Sequence, residues 1–217
     1  MMTSKCRQYV TLVSLVLTAA CAHRASERVA PADPFVNVEV SKIPVGSLAG
    51  LSALLLPVGS VVFGDSVASL AARRADLLER ATAVLDSVLR RDAGAVTWQN
   101  QDSIRRALRR SPGIGAADPS RLPTGFLLAR RVEAVPDPLW SSLRAVVALT
   151  GARMALVPVA VKLDGRDGAV TATYAMALID VRRGELAWRG QVTGQPAASA
   201  EAALISAAVA AVPSGIQ

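Results

Sequence analysis

Two hydrophobic periods alternate along this chain, one near 3.6 residues and one of two, and their order predicts the fold. Ser52 to Val58 is a continuous apolar run that reads as a first buried strand, and Val61-Val62-Phe63 continues it after Gly59. From Val67 to Arg91, Leu70, Leu77, Ala81, Val84, Val88 and their neighbours recur at helical spacing, with charges on the other face. That spacing predicts a helix about 36 Å long, capped by Asp65 or Ser66 and ended before Gly94. Val96-Thr97-Trp98 reads as a short strand, and Gln101–Arg110 as a short basic helix with Ile104 and Leu108 inward. Ser111 to Pro123 is a loop rich in Gly, Pro, Ala and Asp. Asp137-Pro138 opens a further helix that Gly151 ends.

The last third predicts an antiparallel meander: Met154 to Leu163, a turn over Asp164–Gly168, Ala169 to Val181, a turn over Arg182–Glu185, then Leu186 to Thr193. Val157, Val159, Val161 and Leu163 alternate toward one face, as do Val170, Ala172, Tyr174, Met176 and Leu178. An alanine-rich helix, Ala197 to Val212, closes the pattern. The expected fold class is α/β (α+β): a mixed β-sheet with a C-terminal three-strand antiparallel meander, covered by about four helices.

Ahead of this pattern lies a different one. Lys5 and Arg7 precede an apolar run from Tyr9, which ends in Leu17-Thr18-Ala19-Ala20-Cys21. The run is too short to span a bilayer, which takes about 20 residues, and it has the layout of a secretory signal. Small residues followed by Cys21 resemble the lipobox of bacterial lipoproteins, in which the cysteine becomes lipidated. That resemblance implies a signal peptide at residues 1–20 and a lipid-anchored tether at 21–47, with room for an extended arm from Phe35 to Val40. A single domain at 48–213 follows. Ala22 is not aspartate, so the resemblance favours the outer membrane, facing the periplasm. The alternative is a cut at Ala20-Cys21-Ala22 that releases a soluble periplasmic protein.

Charge and composition narrow the chemistry. Of 217 residues, only two are cysteine, Cys6 and Cys21, and one is histidine, His23. A core of this size needs no disulfide or metal to hold it. Zinc chemistry needs three or four nitrogen, sulfur or oxygen ligands, and no histidine or cysteine cluster supplies them, so no metal or cofactor is expected. The net charge is +7, carried mostly by arginine, with six Arg-Arg pairs scattered along the chain. Scattered pairs and export both argue against nucleic acid. Val62-Phe63-Gly64-Asp65-Ser66 resembles the first block of Gly-Asp-Ser serine esterases, which implies Ser66 as nucleophile. A serine needs a base, and no histidine follows Ser66, so a helix cap is the expectation. The carboxylates Asp164 and Asp167 fall in a turn, and Asp76 and Glu79 on a charged helix face, where structural roles are expected.

The element order, the Leu56-Pro57 strand end, Ala152-Arg153-Met154-Ala155-Leu156-Val157 and the hairpin Leu178-Ile179-Asp180 to Gly184-Glu185-Leu186-Ala187-Trp188 together resemble a group of exported bacterial proteins. The group includes the N-terminal domain of the Tol-system propeller protein, the curli-secretion lipoprotein and the penicillin-binding-protein activator lipoproteins. The resemblance implies a non-enzymatic binding or assembly domain whose partners are envelope proteins, with the membrane reached through the N-terminal lipid. Assembly into a homo-oligomer is a further reading. The expected partner contact is the basic helix, through Arg105, Arg106, Arg109 and Arg110, with the loop from Pro112 to Pro123.

Overall fold

The computed structural model describes residue 35 and residues 38–112 and 118–213. Cys21, His23, the signal reading, the tether reading as far as residue 34, residues 36 and 37 of the extended arm and residues 113–117 of the loop lie outside the described residues.

A short turn of helix, α1 (Val45–Leu48), leads into β1 (Ser52–Leu55) and β2 (Val61–Phe63). A 3-10 segment, Asp65–Arg73, precedes α2 (Arg74–Asp92). Then come β3 (Thr97–Gln99), α3 (Gln101–Arg110), two 3-10 turns at Pro119–Arg121 and Gly125–Leu128, and α4 (Leu139–Thr150). The chain ends in the meander β4 (Met154–Arg166), β5 (Ala169–Asp180) and β6 (Glu185–Thr193), and in α5 (Ala200–Ala211). The sheet order is β3-β1-β4-β5-β6, with β2 on the same side of β4 as β1. β1 runs parallel to β3 and β4, β2 parallel to β4, and β4-β5-β6 are antiparallel. This is the mixed α+β sheet that the pattern predicts, with five helices among the described residues.

Both faces of the sheet are covered, which is why β4 and β5 read as nearly unbroken apolar runs. One face packs Leu55, Leu156, Val161, Tyr174 and Met176 against α2 and α5. The other packs Leu54, Val157, Ala175 and Ile179 against Ile104 of α3 and Leu139, Leu143 and Val146 of α4. Tyr174 is fully buried, and its hydroxyl donates to the Ala81 carbonyl of α2 at 3.0 Å. The alternation expected in β5 holds: Ala172, Tyr174, Met176 and Leu178 all face α2 and α5.

The alternation expected in β4 does not hold. Val157 and Val159 face α3 and α4, whereas Val161 and Leu163 face α2 and α5. The register slips between Pro158 and Ala160, where an extra residue is absorbed. Pro158 has no N–H for the ladder, and such a bulge reverses the side-chain parity beyond it.

Three other boundaries also move. The first strand stops at Leu55 rather than Val58. The long helix is helical in the α sense only from Arg74, and Val67 leaves helical geometry at φ −122° and ψ 18°. The first hairpin turn narrows to Asp167-Gly168, both at positive φ (52° and 77°), so β4 continues to Arg166. Asp-Gly is the pair that such a two-residue turn favours.

The second hairpin follows the reading of its motif. The Asp180 carboxylate accepts the N–H groups of Arg182 and Arg183 at 3.0 and 3.2 Å. Gly184 sits at φ 72°, and a Cβ there would also lie 2.8 Å from the Trp140 ring.

The core begins earlier than the patterning suggests, because Val38, Ile43, Val45 and Leu48 are all buried. Residues 38–43 lie along β6: the Gln191 N–H donates to the Glu39 carbonyl, and the Ser41 N–H to the Gln191 carbonyl. Ile43 N–H then donates to Ala211 at the end of α5. The arm passes over Gly190, where any side chain would collide with Ser41. At its other end β6 is covered by residues 133–135, through Val135 N–H to Gly184 and Leu186 N–H to Glu133. The β6 edge is therefore closed, as exposed sheet edges commonly are.

Candidate functional site: the arginine helix and its two grooves

α3 stands beside the other edge of the sheet. Its sequence, Gln101 to Arg110, carries four arginines and one acid. Asn100 caps it: the side-chain oxygen accepts the Ser103 N–H at 3.2 Å, while the amide donates to Asp86 of α2 at 3.1 Å. Asp86 also accepts from Arg90 at 2.8 Å, so α2 and the start of α3 are joined through one carboxylate. Ile104, 2 % exposed, is the deep anchor of α3, and Leu108 packs partly buried one turn later. This inward pair leaves Arg105, Arg106, Arg109 and Arg110 exposed. Among the described residues none of the four has an ion-pair or hydrogen-bond partner. Some arginines elsewhere are engaged: Arg80 with Glu201, Arg73 with Asp76, and Arg153 with Asp180.

A groove lies on each side of α3. The larger, of about 630 Å³, opens beyond the C-terminal ends of β1 and β3, between α2 and α3. Crevices at this end of parallel strands are where open α/β sheets bind ligands. Its apolar floor is Leu55, Val58 and Leu78, and Glu79, Asp102 and Arg105 stand on its rim. The Thr82 hydroxyl shapes the floor by accepting the Val58 N–H at 3.0 Å and donating to Leu78. The smaller groove, of about 450 Å³, runs between α3 and the end of α4. Gln99, Ser103, Arg106, Arg110, Ser111 and Thr150 line it, and among the described residues no carboxylate does. Arg106 and Arg110 are one turn apart, hence on the same helix face.

The four arginines expected as a contact surface thus lie on one ridge, but Arg105 lines the larger groove, Arg106 and Arg110 line the smaller, and Arg109 lines neither. The patterning does not show Glu79 as a groove residue, nor that Gln99 and Thr150 meet Arg106. Leu56-Pro57, a strand end next to a second parallel strand end, is the one sequence cue to the larger groove.

The other candidates do not assemble. The Ser66 hydroxyl donates to the Gly165 carbonyl at 2.7 Å and accepts the Gly165 N–H at 3.1 Å. It caps no helix, contrary to the expectation from sequence: Gly64 precedes the 3-10 turn, and no side chain caps it. Asp164 pairs with Lys162 at 3.2 Å, and Asp167 pairs loosely with Arg166 in the hairpin turn. Among the described residues no group of three His, Cys, Asp or Glu side chains could hold a metal, and no helix is long and apolar enough to cross a membrane.

Burial alone pushes the Tyr174 phenol well above its ordinary value. On the surface, the Arg91 hydrogen bond holds the Asp92 carboxyl below its ordinary value. Both groups lie outside the grooves.

No family model and no curated protein matches the chain. Among solved structures, the chain is similar to the C-terminal domain of LpoB from Escherichia coli, at 20% identity and a TM-score of 0.35, over 70% of this chain and 92% of that one. It is also similar to the PelC dodecamer from Paraburkholderia phytofirmans, at 13% identity and a TM-score of 0.37, over 79% and 90%. A lipoprotein from Neisseria meningitidis shares 14% identity at a TM-score of 0.34, over 68% and 81%.

Proposed function

We propose that this chain is a bacterial cell-envelope lipoprotein, anchored through lipid on Cys21 in the outer membrane and facing the periplasm. Its domain acts by contact with envelope proteins rather than by catalysis. The observation that carries this reading is the placement of its two ends of business. The chain that leads back toward Cys21 leaves the domain at the arm on β6, and the arginine ridge of α3 stands beside β3 at the far edge. Four strand spacings, about 19 Å, separate β3 from β6. A leash attached at one edge supports presentation of the other to a partner.

A photo-crosslinking residue in place of Arg109, in the full chain in cells, is expected to capture an envelope protein. The same residue in place of Arg183, at the β5–β6 turn, is expected to capture much less. Adducts between two copies of the chain would make the partner a homo-oligomer. Equal yields from both positions would refute the ridge as the contact surface. The anchor is tested separately: Cys21→Ser should move the protein out of the membrane fraction and remove the mass of the acyl chains.

A further inference from the structure

We infer that the smaller groove is the docking site for an acidic, extended peptide segment, which adds to the free edge of β3 and lays its carboxylates on Arg106 and Arg110. This rests on the binding-domain reading above and names the kind of partner.

Two independent observations meet here. The first is the open edge. Thr97 N–H donates inward to Leu51, and β3 pairs with β1 in parallel. In a parallel ladder alternate residues turn their N–H and C=O to opposite sides, so those of Trp98 point away from β1. Nothing among the described residues pairs with them. The β6 edge, by contrast, is closed at both ends by segments of the chain itself.

The second observation is charge. The groove opens beside Gln99, the next residue of β3, and holds two guanidinium groups that have no partner and meet no lining carboxylate among the described residues. The ends of α3 and α4 contribute partial negative charge there, about half a unit each. Two full positive charges outweigh them. Guanidinium forks match carboxylates in a planar, two-bond geometry.

The two features fit one occupant. Side chains of an added strand point alternately to the two sheet faces. Those on the α3 side enter the groove, and two residues along the strand span about 6.6 Å, close to one helical turn between Arg106 and Arg110. Trp98 alone offers few backbone bonds, so acidic side chains must supply the rest of the affinity, and neutral strands should not bind.

The test uses the full-length protein in non-ionic detergent and a fluorescent eight-residue peptide alternating glutamate with valine, read by anisotropy. Saturable binding is expected. It should weaken at least tenfold in Arg106→Ala/Arg110→Ala, and severalfold when salt is raised from low to physiological strength. The same peptide N-methylated on alternate backbone nitrogens should lose binding, and so should a lysine-for-glutamate version. Thermal unfolding and circular dichroism of the double variant, unchanged from the parent, show that the loss is local.

Equal binding of the N-methylated peptide, of polyphosphate or of vesicles containing anionic lipid would overturn strand docking in favour of simple charge attraction. Absence of peptide binding, with crosslinking through position 109 intact, would sink this proposal and leave the broader contact reading standing.

Discussion

Replacing Ile104 by alanine tests whether one side chain holds the arginine ridge in place. Ile104 is 2 % exposed, and it is the one fully buried residue of α3. The substitution removes three carbon groups. At about 0.8 kcal/mol each, the lost transfer free energy is about 2.4 kcal/mol. The cavity left in the core on that face of the sheet adds to this, for a total of about 3 kcal/mol. α3 has few other ties: partly buried Leu108, the Asn100 cap and the surface helix contacts with α4. The loss should therefore be felt first as local opening of α3. Hydrogen exchange resolved by residue is the assay. Amides of residues 104–110 should exchange about 100-fold faster, since each 1.4 kcal/mol is a factor of ten, while β5 amides change little under conditions where α3 opens alone. If exchange instead rises equally in α3 and β5, or not at all in α3, the ridge is not pinned by Ile104 and the argument fails.

Gly184→Ala forces a side chain onto a positive φ and into the Trp140 ring; it should cost about 1–3 kcal/mol, lowering Tm by several degrees in a thermal melt. Tyr174→Phe removes the buried bond to Ala81 and should cost about 1 kcal/mol near neutral pH. The Tyr174 pKa is raised on folding, so its contribution is complete below the ordinary phenol value of about 10 and is lost as pH rises above it; a denaturant series should show the parent losing more stability than Tyr174→Phe in that alkaline window. Arg80→Ala breaks an exposed ion pair with Glu201 and should shift stability by less than about 1 kcal/mol; a larger loss in urea titration would show that the pair ties α2 to α5 more strongly than its exposure implies.

Much of the fold is legible because most of its elements obey one period each. β5 is the clearest case: the extra residues of both ladders sit in its neighbours, β4 and β6, so its own apolar face can be read residue by residue. β4 is misread beyond Pro158 because a bulge reverses parity, and neither apolar type nor spacing records an extra residue absorbed in a ladder. The break near Val67 is hidden for a related reason. Helical spacing holds through it, but the Ser66 hydroxyl is claimed by Gly165, 99 residues away, and a side chain bonded to a distant backbone does not cap its own helix. The site is half legible. Four arginines in ten residues announce a charged face. The division of Arg105, Arg106 and Arg110 between two grooves depends on Glu79, Gln99 and Thr150, which approach α3 only once α2, β3 and α4 are packed.

The clasp between the arm and the end of the domain also sets an order of assembly. Val38 to Ile43 leave the ribosome ahead of every element they bind. Their partners Trp188, Gln191 and Ala211 come last. The arm must therefore wait undocked while the sheet forms. Its closure on β6 and α5 is the step that reports a chain delivered in full, and a chain truncated before β6 would have an arm with nowhere to lie.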